Sequence, residues 1–162
     1  MQITTCTKDD FDQILSNLNS FWGNLSSARL NKIKHLHHPI LIYELGDNAF
    51  VIKEDGQVLS YLFGLFSQTE PLAYVQFVAT HRDYRRQGLA KRLYEHFIAK
   101  AKENGYRYVK AITTSSNKES ISFHKNLGMD LLGEPNEDGI PVVKDYAGPG
   151  QDRVVFFRGI VS

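Results

Sequence analysis

The chain has 162 residues, 42% hydrophobic and 23% charged, a composition that fits one folded domain over residues 1–162 and excludes a disordered chain. Its formal net charge of +1 gives no global pull toward nucleic acid or anionic membrane, so any anion site has to be local. The single cysteine, Cys6, excludes an internal disulfide framework and a multi-cysteine zinc site.

Residues 1–6, rich in β-branched side chains, open as a strand. Thr7, with Asp10 three places on, reads as a helix N-cap. Phe11, Ile14, Leu15, Leu18, Phe21 and Trp22 then recur at helical spacing, predicting one amphipathic helix that closes near Gly23. A shorter helix is predicted over residues 27–37, stopped by Pro39. The apolar runs 49–52 and 58–66 flank Asp55-Gly56, the signature of an antiparallel hairpin, and residues 72–79 continue the sheet. Ala90, Leu93, Tyr94, Phe97, Ile98 and Ala101 form a further helical stripe, closed by Gly105. A strand over 108–113, a helix over 117–127 ended by Gly128, and a strand over 129–132 follow. The stretch GEPNEDGIPVVKDYAGPGQD is loop chemistry with one short strand over 142–145, and residues 153–161 close the sheet. This order predicts a mixed α/β fold with helices on the faces of a sheet. No apolar run approaches the roughly 18 residues that span a bilayer. The first ten residues lack a basic-then-apolar leader, so a cytoplasmic protein without membrane partners is expected.

One segment concentrates chemistry. From Thr80 to Phe97 the sequence THRDYRRQGLAKRLYEHF places four arginines and a lysine around one glycine, where a strand gives way to a helix. The first turn of a helix leaves backbone N–H groups unpaired and carries about half a positive charge. Gly88, without a Cβ, would let a phosphate approach the main chain, while Arg85, Arg86 and Lys91 would add charge. A ligand bearing a pyrophosphate suits this set; a basic, solvated helix start is the plainer alternative. Neither a G-x-x-x-x-G-K-S/T loop nor a G-x-G-x-x-G turn is present, so the phosphate carrier is expected to be neither an ordinary nucleoside triphosphate nor a dinucleotide.

Arg85-Arg86-Gln87-Gly88-Leu89-Ala90 resembles the Q/R-x-x-G-x-G/A signature of the GNAT superfamily of acyl-CoA-dependent N-acetyltransferases. Downstream, Asn117-Lys118-Glu119-Ser120-Ile121-Ser122-Phe123-His124-Lys125-Asn126-Leu127-Gly128-Met129 is similar to that family's N-x-x-A/S-x-x-F-Y/H-x-x-x-G-F segment. Together and in register, the two motifs make a specific match. The resemblance implies a mostly antiparallel central sheet with splayed central strands and helices on both faces. It implies acetyl-CoA as cosubstrate, with no metal. The backbone of Val78, Ala79 and Thr80 would pair with the pantetheine arm as an added strand does. Main-chain amides of Arg86, Gln87, Gly88, Leu89 and Ala90 would cradle the pyrophosphate, with Arg85 and Lys91 at the edges. Asn117 would bond the pantetheine amides. The family's frequent dimerisation leaves a homodimer open.

Acetyl transfer from a thioester to an amine needs a neutral amine, a donor for the oxyanion and a proton for the departing thiolate. Many family members carry a tyrosine where this chain has His124, which makes His124 the candidate general acid; packing beside Phe123 and Ser120 is the alternative. No base is fixed by a motif, since Tyr74 and Gln76 stand where some relatives have a carboxylate. His35-Leu36-His37-His38 lacks the i, i+4 spacing of a metal pair and reads as a helix end or plain surface. Cys6 reads as a small core hydrophobe. The expected activity is acetyl transfer from acetyl-CoA to a primary amine of a small molecule or peptide. A degenerate acyl-CoA sensor is the second hypothesis. Nucleic-acid binding, the third, is disfavoured by the near-zero net charge.

Overall fold

The structure, a computed structural model, describes residues 1–23 and 25–160. Its elements run β1 (Gln2–Thr5), α1 (Lys8–Ser16), α2 (Leu18–Trp22), α3 (Ser27–Leu36), α4 (Ile40–Tyr43), β2 (Ala49–Glu54), β3 (Gln57–Phe66), β4 (Leu72–Thr80), α5 (Leu89–Glu103), β5 (Tyr108–Thr113), α6 (Lys118–Asn126), β6 (Asp130–Leu131), β7 (Glu134–Pro135), β8 (Pro141–Val142) and β9 (Val154–Gly159). Seven strands hydrogen-bond in the order β1-β2-β3-β4-β5-β9-β6, and β7 with β8 forms a separate pair. The β1–β2, β2–β3, β5–β9 and β6–β9 pairs are antiparallel, while β4–β5 is parallel. This is the mixed, mostly antiparallel sheet expected. The chain divides into two compact units, Met1–Leu65 with Gln76–Ala99, and Phe66–Val75 with Lys100–Ser162.

In the first unit α1 begins with a full capping box. Thr7 Oγ1 accepts from Asp10 N–H, and the Asp10 carboxylate accepts from Thr7 N–H. The single long helix expected through Trp22 is instead two, because Asn17 breaks it. Its side-chain amide donates to the Gln13 carbonyl, 2.9 Å away, and its backbone leaves helical geometry at φ −127° and ψ 25°. Pro39 ends α3 as predicted but also opens α4, its carbonyl accepting from Ile42 and Tyr43 N–H. Asp55 and Gly56, at φ 50° and 80°, make the tight turn between β2 and β3. Phe11, Ile14, Leu18 and Phe21 from the helices pack with Val51, Tyr61, Phe63, Phe77 and Ala79 from β2, β3 and β4 in one core cluster.

Gly64 admits Phe97 of α5 against β3. A Cβ there would lie 2.6 Å from the Phe97 ring, which is fully buried and cannot swing clear. Gly64→Ala is therefore expected to lose about 1–3 kcal/mol of stability. Urea unfolding checks this; an unchanged midpoint would mean the ring yields freely.

In the second unit β4 and β5 pair through four partners, Leu72–Tyr108 to Val75–Ala111, and β9 continues the sheet beside β5. The strand expected over 142–145 shrinks to Pro141–Val142, paired with an unforeseen β7. Asn136 makes this hairpin: its Oδ1 accepts from Asp138 and Ile140 N–H at 2.9 and 3.0 Å. Val143 continues only as an isolated bridge to Arg153, and Asp145 turns away at φ 54°. The closing strand ends at Gly159; Val161, predicted within it, lies outside the described residues.

Candidate functional site

β4 alternates in burial, with Phe77 and Ala79 buried and Val78 and Thr80 half-exposed on the opposite face. His81 N–H donates to the Leu59 carbonyl of β3 at 2.8 Å. By the alternation of an antiparallel ladder, Ala79 shares that orientation, and the Ser60 hydroxyl reaches its carbonyl at 2.9 Å. Val78 and Thr80 therefore turn their peptide groups to the other edge of the strand. The parallel register along that edge ends at Val75, five residues before the strand does.

The turn after β4 holds two residues at positive φ, Arg86 at 61° and Gly88 at 75°. Left-handed residues in a turn gather successive N–H groups into a concavity suited to anions. A non-glycine residue held this way costs about 1–2 kcal/mol, strain of a kind found at ligand clamps. The first intrahelical bond of α5 runs from Arg92 N–H to the Gly88 carbonyl at 3.0 Å. The N–H groups of Leu89, Ala90 and Lys91 precede it and have no carbonyl within the helix to bond. Leu89, 3% exposed, anchors this helix start in the core. Beyond its chain neighbours, a Cβ on Gly88 would meet no atom within 4 Å, so the space over this glycine is open. The donors, the space and the charge all fit a pyrophosphate. Arg86 and Gln87 are exposed beside Gly88, and exposed Lys91 lies 3.8 Å from Glu95.

Arg85, expected at the edge of the cradle, bonds to the protein itself. Its guanidinium donates to the Phe21 carbonyl at 3.0 Å, with a weaker 3.4 Å contact from Nε to the Thr80 carbonyl. It ties the turn to the last turn of α2.

That turn of α2 is itself held by a buried chain of hydrogen bonds. His37 Nδ1–H donates to the Ile33 carbonyl at 2.8 Å, so the neutral ring accepts at Nε2 from the Tyr61 hydroxyl, also 2.8 Å away. Trp22 Nε1–H donates to the same hydroxyl at 2.8 Å. The His37 ring stacks on Phe77, centroids 4.1 Å apart, and burial holds its pKa below the usual histidine value, only partly opposed by the Ile33 bond. Of the HLHH run His37 alone turns inward, while His35, Leu36 and His38 are exposed as a surface helix end would be. Leu30, Ile33 and His37, at i, i+3 and i+7, are the sequence signal that His37 turns inward. Among the described residues no group of three or more His, Cys, Asp or Glu could hold a metal ion. Burial, reinforced by Asp10, pushes the Cys6 thiol up to about 12, so it is no nucleophile. A cavity of about 300 Å³ beside His81 is lined by Gln13, Asn17, Phe21, Gln57 and Val58 among others; none of the residues expected to hold the cofactor lines it.

The remaining two expected residues belong to the second unit. Asn117 is the N-cap of α6, its Oδ1 accepting from Ser120 N–H at 3.1 Å. Its amide nitrogen is the group left to make the expected bond. His124 is only 3% exposed, with its ring stacked on Phe156 at 4.0 Å. Its Nδ1–H donates to the Ser120 carbonyl at 2.7 Å. Burial lowers its pKa to about 4, so at neutral pH the ring carries no second proton to give. Tyr74 is pushed up to about 12 by burial and Tyr146 and stays a phenol.

A sequence model described as the acetyltransferase (GNAT) family matches residues 13–129. No curated protein matches the chain by sequence. Among solved structures, one described as a GNAT-family acetyltransferase from Desulfovibrio desulfuricans is similar at TM-score 0.77 and 14% identity, over 99% of both chains. The ribosomal-protein-alanine N-acetyltransferase of Brucella melitensis is similar at TM-score 0.64 and 19% identity, over 98% of this chain and 99% of that one. An aminoglycoside 6'-N-acetyltransferase complexed with coenzyme A is similar at TM-score 0.67 and 10% identity, over 100% and 98%. At these identities the structures speak to the fold, and the family match speaks to the chemistry.

Proposed function

The chain belongs to the GNAT family of acetyltransferases, and from that premise we propose that it moves an acetyl group from acetyl-CoA directly to a primary amine of a small molecule or peptide. The turn after β4 carries this reading: left-handed Arg86 and Gly88, open space over Gly88, and the amides of Leu89, Ala90 and Lys91 ahead of the first α5 bond. In the proposal these amides, with those of Arg86, Gln87 and Gly88, receive the pyrophosphate. Val78 and Thr80 offer the pantetheine a strand edge, and Asn117 donates its amide N–H. Arg85 braces the turn through its bond to the Phe21 carbonyl. For His124 the proposal is limited to the neutral ring, since acid catalysis there requires a proton at Nε2 that burial disfavours.

Two measurements test the proposal together. Calorimetric titration with coenzyme A should show binding, and thiol release from acetyl-CoA should rise with at least one member of a panel of alanine-started peptides, aminoglycosides, amino acids and polyamines. No binding would sink it. Binding without turnover on any amine would favour the sensor reading, which the buried, neutral His124 and the protonated Tyr74 also suit.

A further inference from the structure

We infer that His37 is a positioning residue for the coenzyme A cradle: acting through Tyr61, it fixes the last turn of α2, whose Phe21 carbonyl holds the Arg85 guanidinium. The inference rests on the acetyl-CoA reading and adds to it a residue that no motif contains. Each link is a direct contact in the structure. His37 Nε2 accepts from Tyr61, and Tyr61 accepts from Trp22, each at 2.8 Å. Phe21, beside Trp22 in the same turn, meets the Tyr61 ring edge-on at 5.1 Å and the His81 ring at 5.6 Å. The Phe21 carbonyl then takes Arg85 at 3.0 Å, one residue before the left-handed Arg86.

The chain works only with a neutral His37. Protonated, Nε2 becomes a donor facing an oxygen that already receives the Trp22 N–H, and the Tyr61 proton loses its acceptor. The surroundings offer the cation little. Around the ring stand Trp22 of α2, Tyr61 and Phe63 of β3, Phe77 of β4 and the Ile33 carbonyl of α3. Of these Tyr61 alone titrates, and burial keeps it a phenol. Beyond Tyr61 lies Cys6, a buried thiol, and the Asp10 carboxylate near it is already paired with Lys53 at 3.1 Å. His35 and His38 flank His37 in sequence but are exposed. Protonating His37 therefore strips the Tyr61 proton of its acceptor and weakens the support the relay gives the last turn of α2, where Arg85 is held.

Coenzyme A is the probe. At pH 8, Tyr61→Phe keeps the ring and removes the relay, and its Kd for coenzyme A should weaken about tenfold, roughly what one lost hydrogen bond does to positioning. His37→Phe keeps the stacking on Phe77 and should bind coenzyme A with a flatter pH dependence between 8 and 5.5 than the wild type. That comparison cancels titration of the ligand's own phosphates. Should either variant fail to fold, the wild type alone decides: because linkage is reciprocal, saturating coenzyme A should move the His37 ring titration, followed by NMR, to lower pH. An unmoved titration, or a Tyr61→Phe Kd within about twofold of wild type, would overturn the inference and leave the cofactor reading intact. A wild type that does not bind coenzyme A at pH 8 removes both.

Discussion

Gly88→Ala is expected to weaken coenzyme A binding roughly 10- to 100-fold, the worth of one or two charge-assisted hydrogen bonds, while the protein still folds. Two effects act at once and can be separated. The first is backbone strain: Gly88 sits at φ 75°, where an alanine costs about 1–2 kcal/mol. The second is occlusion, since the space within 4 Å of the Cβ position is open and a methyl there would fill part of the proposed cradle. Gly105, just beyond the C-terminal end of α5, supplies the control. Its φ of 82° and equally open Cβ position give it the same strain with no place in the cradle. Gly105→Ala should therefore lower the melting temperature about as much as Gly88→Ala and leave coenzyme A binding unchanged. Equal affinities for the two variants would show that Gly88 does nothing beyond turning the chain, and the cradle would be lost with it.

The elements legible in the sequence are those written in neighbouring residues. The Thr7 cap, the Asp55-Gly56 turn and the apolar stripe of α5 are local, and the structure has all three. Contacts distant in sequence defeated the same reading. Nothing in RRQG reveals that Arg85 reaches back 64 residues to the Phe21 carbonyl, because an arginine before a glycine turn looks the same whether it faces a phosphate or a carbonyl. The split between α1 and α2 was missed for the opposite reason. The apolar stripe persists across Asn17, and only the bond from its side chain to Gln13 reveals the break. The His124 ring shows a third limit. The motif places the residue, but its protonation depends on burial, to which Phe156, brought over the ring by a strand 32 positions on, contributes.

That protonation has a consequence for the whole molecule. His124 is expected to cost the folded state about 3 kcal/mol as the pH falls from neutral to about 4, and His124→Phe should abolish that share of the loss. Its folded pKa of about 4 lies below the ordinary histidine value, 6.5, so the unfolded chain binds the proton more tightly than the native one. Stability is then complete above about pH 6.5 and declines toward pH 4, by about 1.4 kcal/mol for each pH unit in that window. Burial is the larger cause, and the Nδ1–H bond to Ser120 opposes it. His37, also depressed by burial, adds to the slope in the same sense, so the variant should flatten the curve without making it level. Urea unfolding at half-unit steps from pH 7.5 to 4.5 reads this directly, and a slope unchanged in His124→Phe would mean that the ring is open to water. The same variant decides the ring's part in catalysis. A neutral packing residue leaves the shape of the rate profile between pH 6.5 and 9 as it was, whereas a general acid takes an inflection away with it.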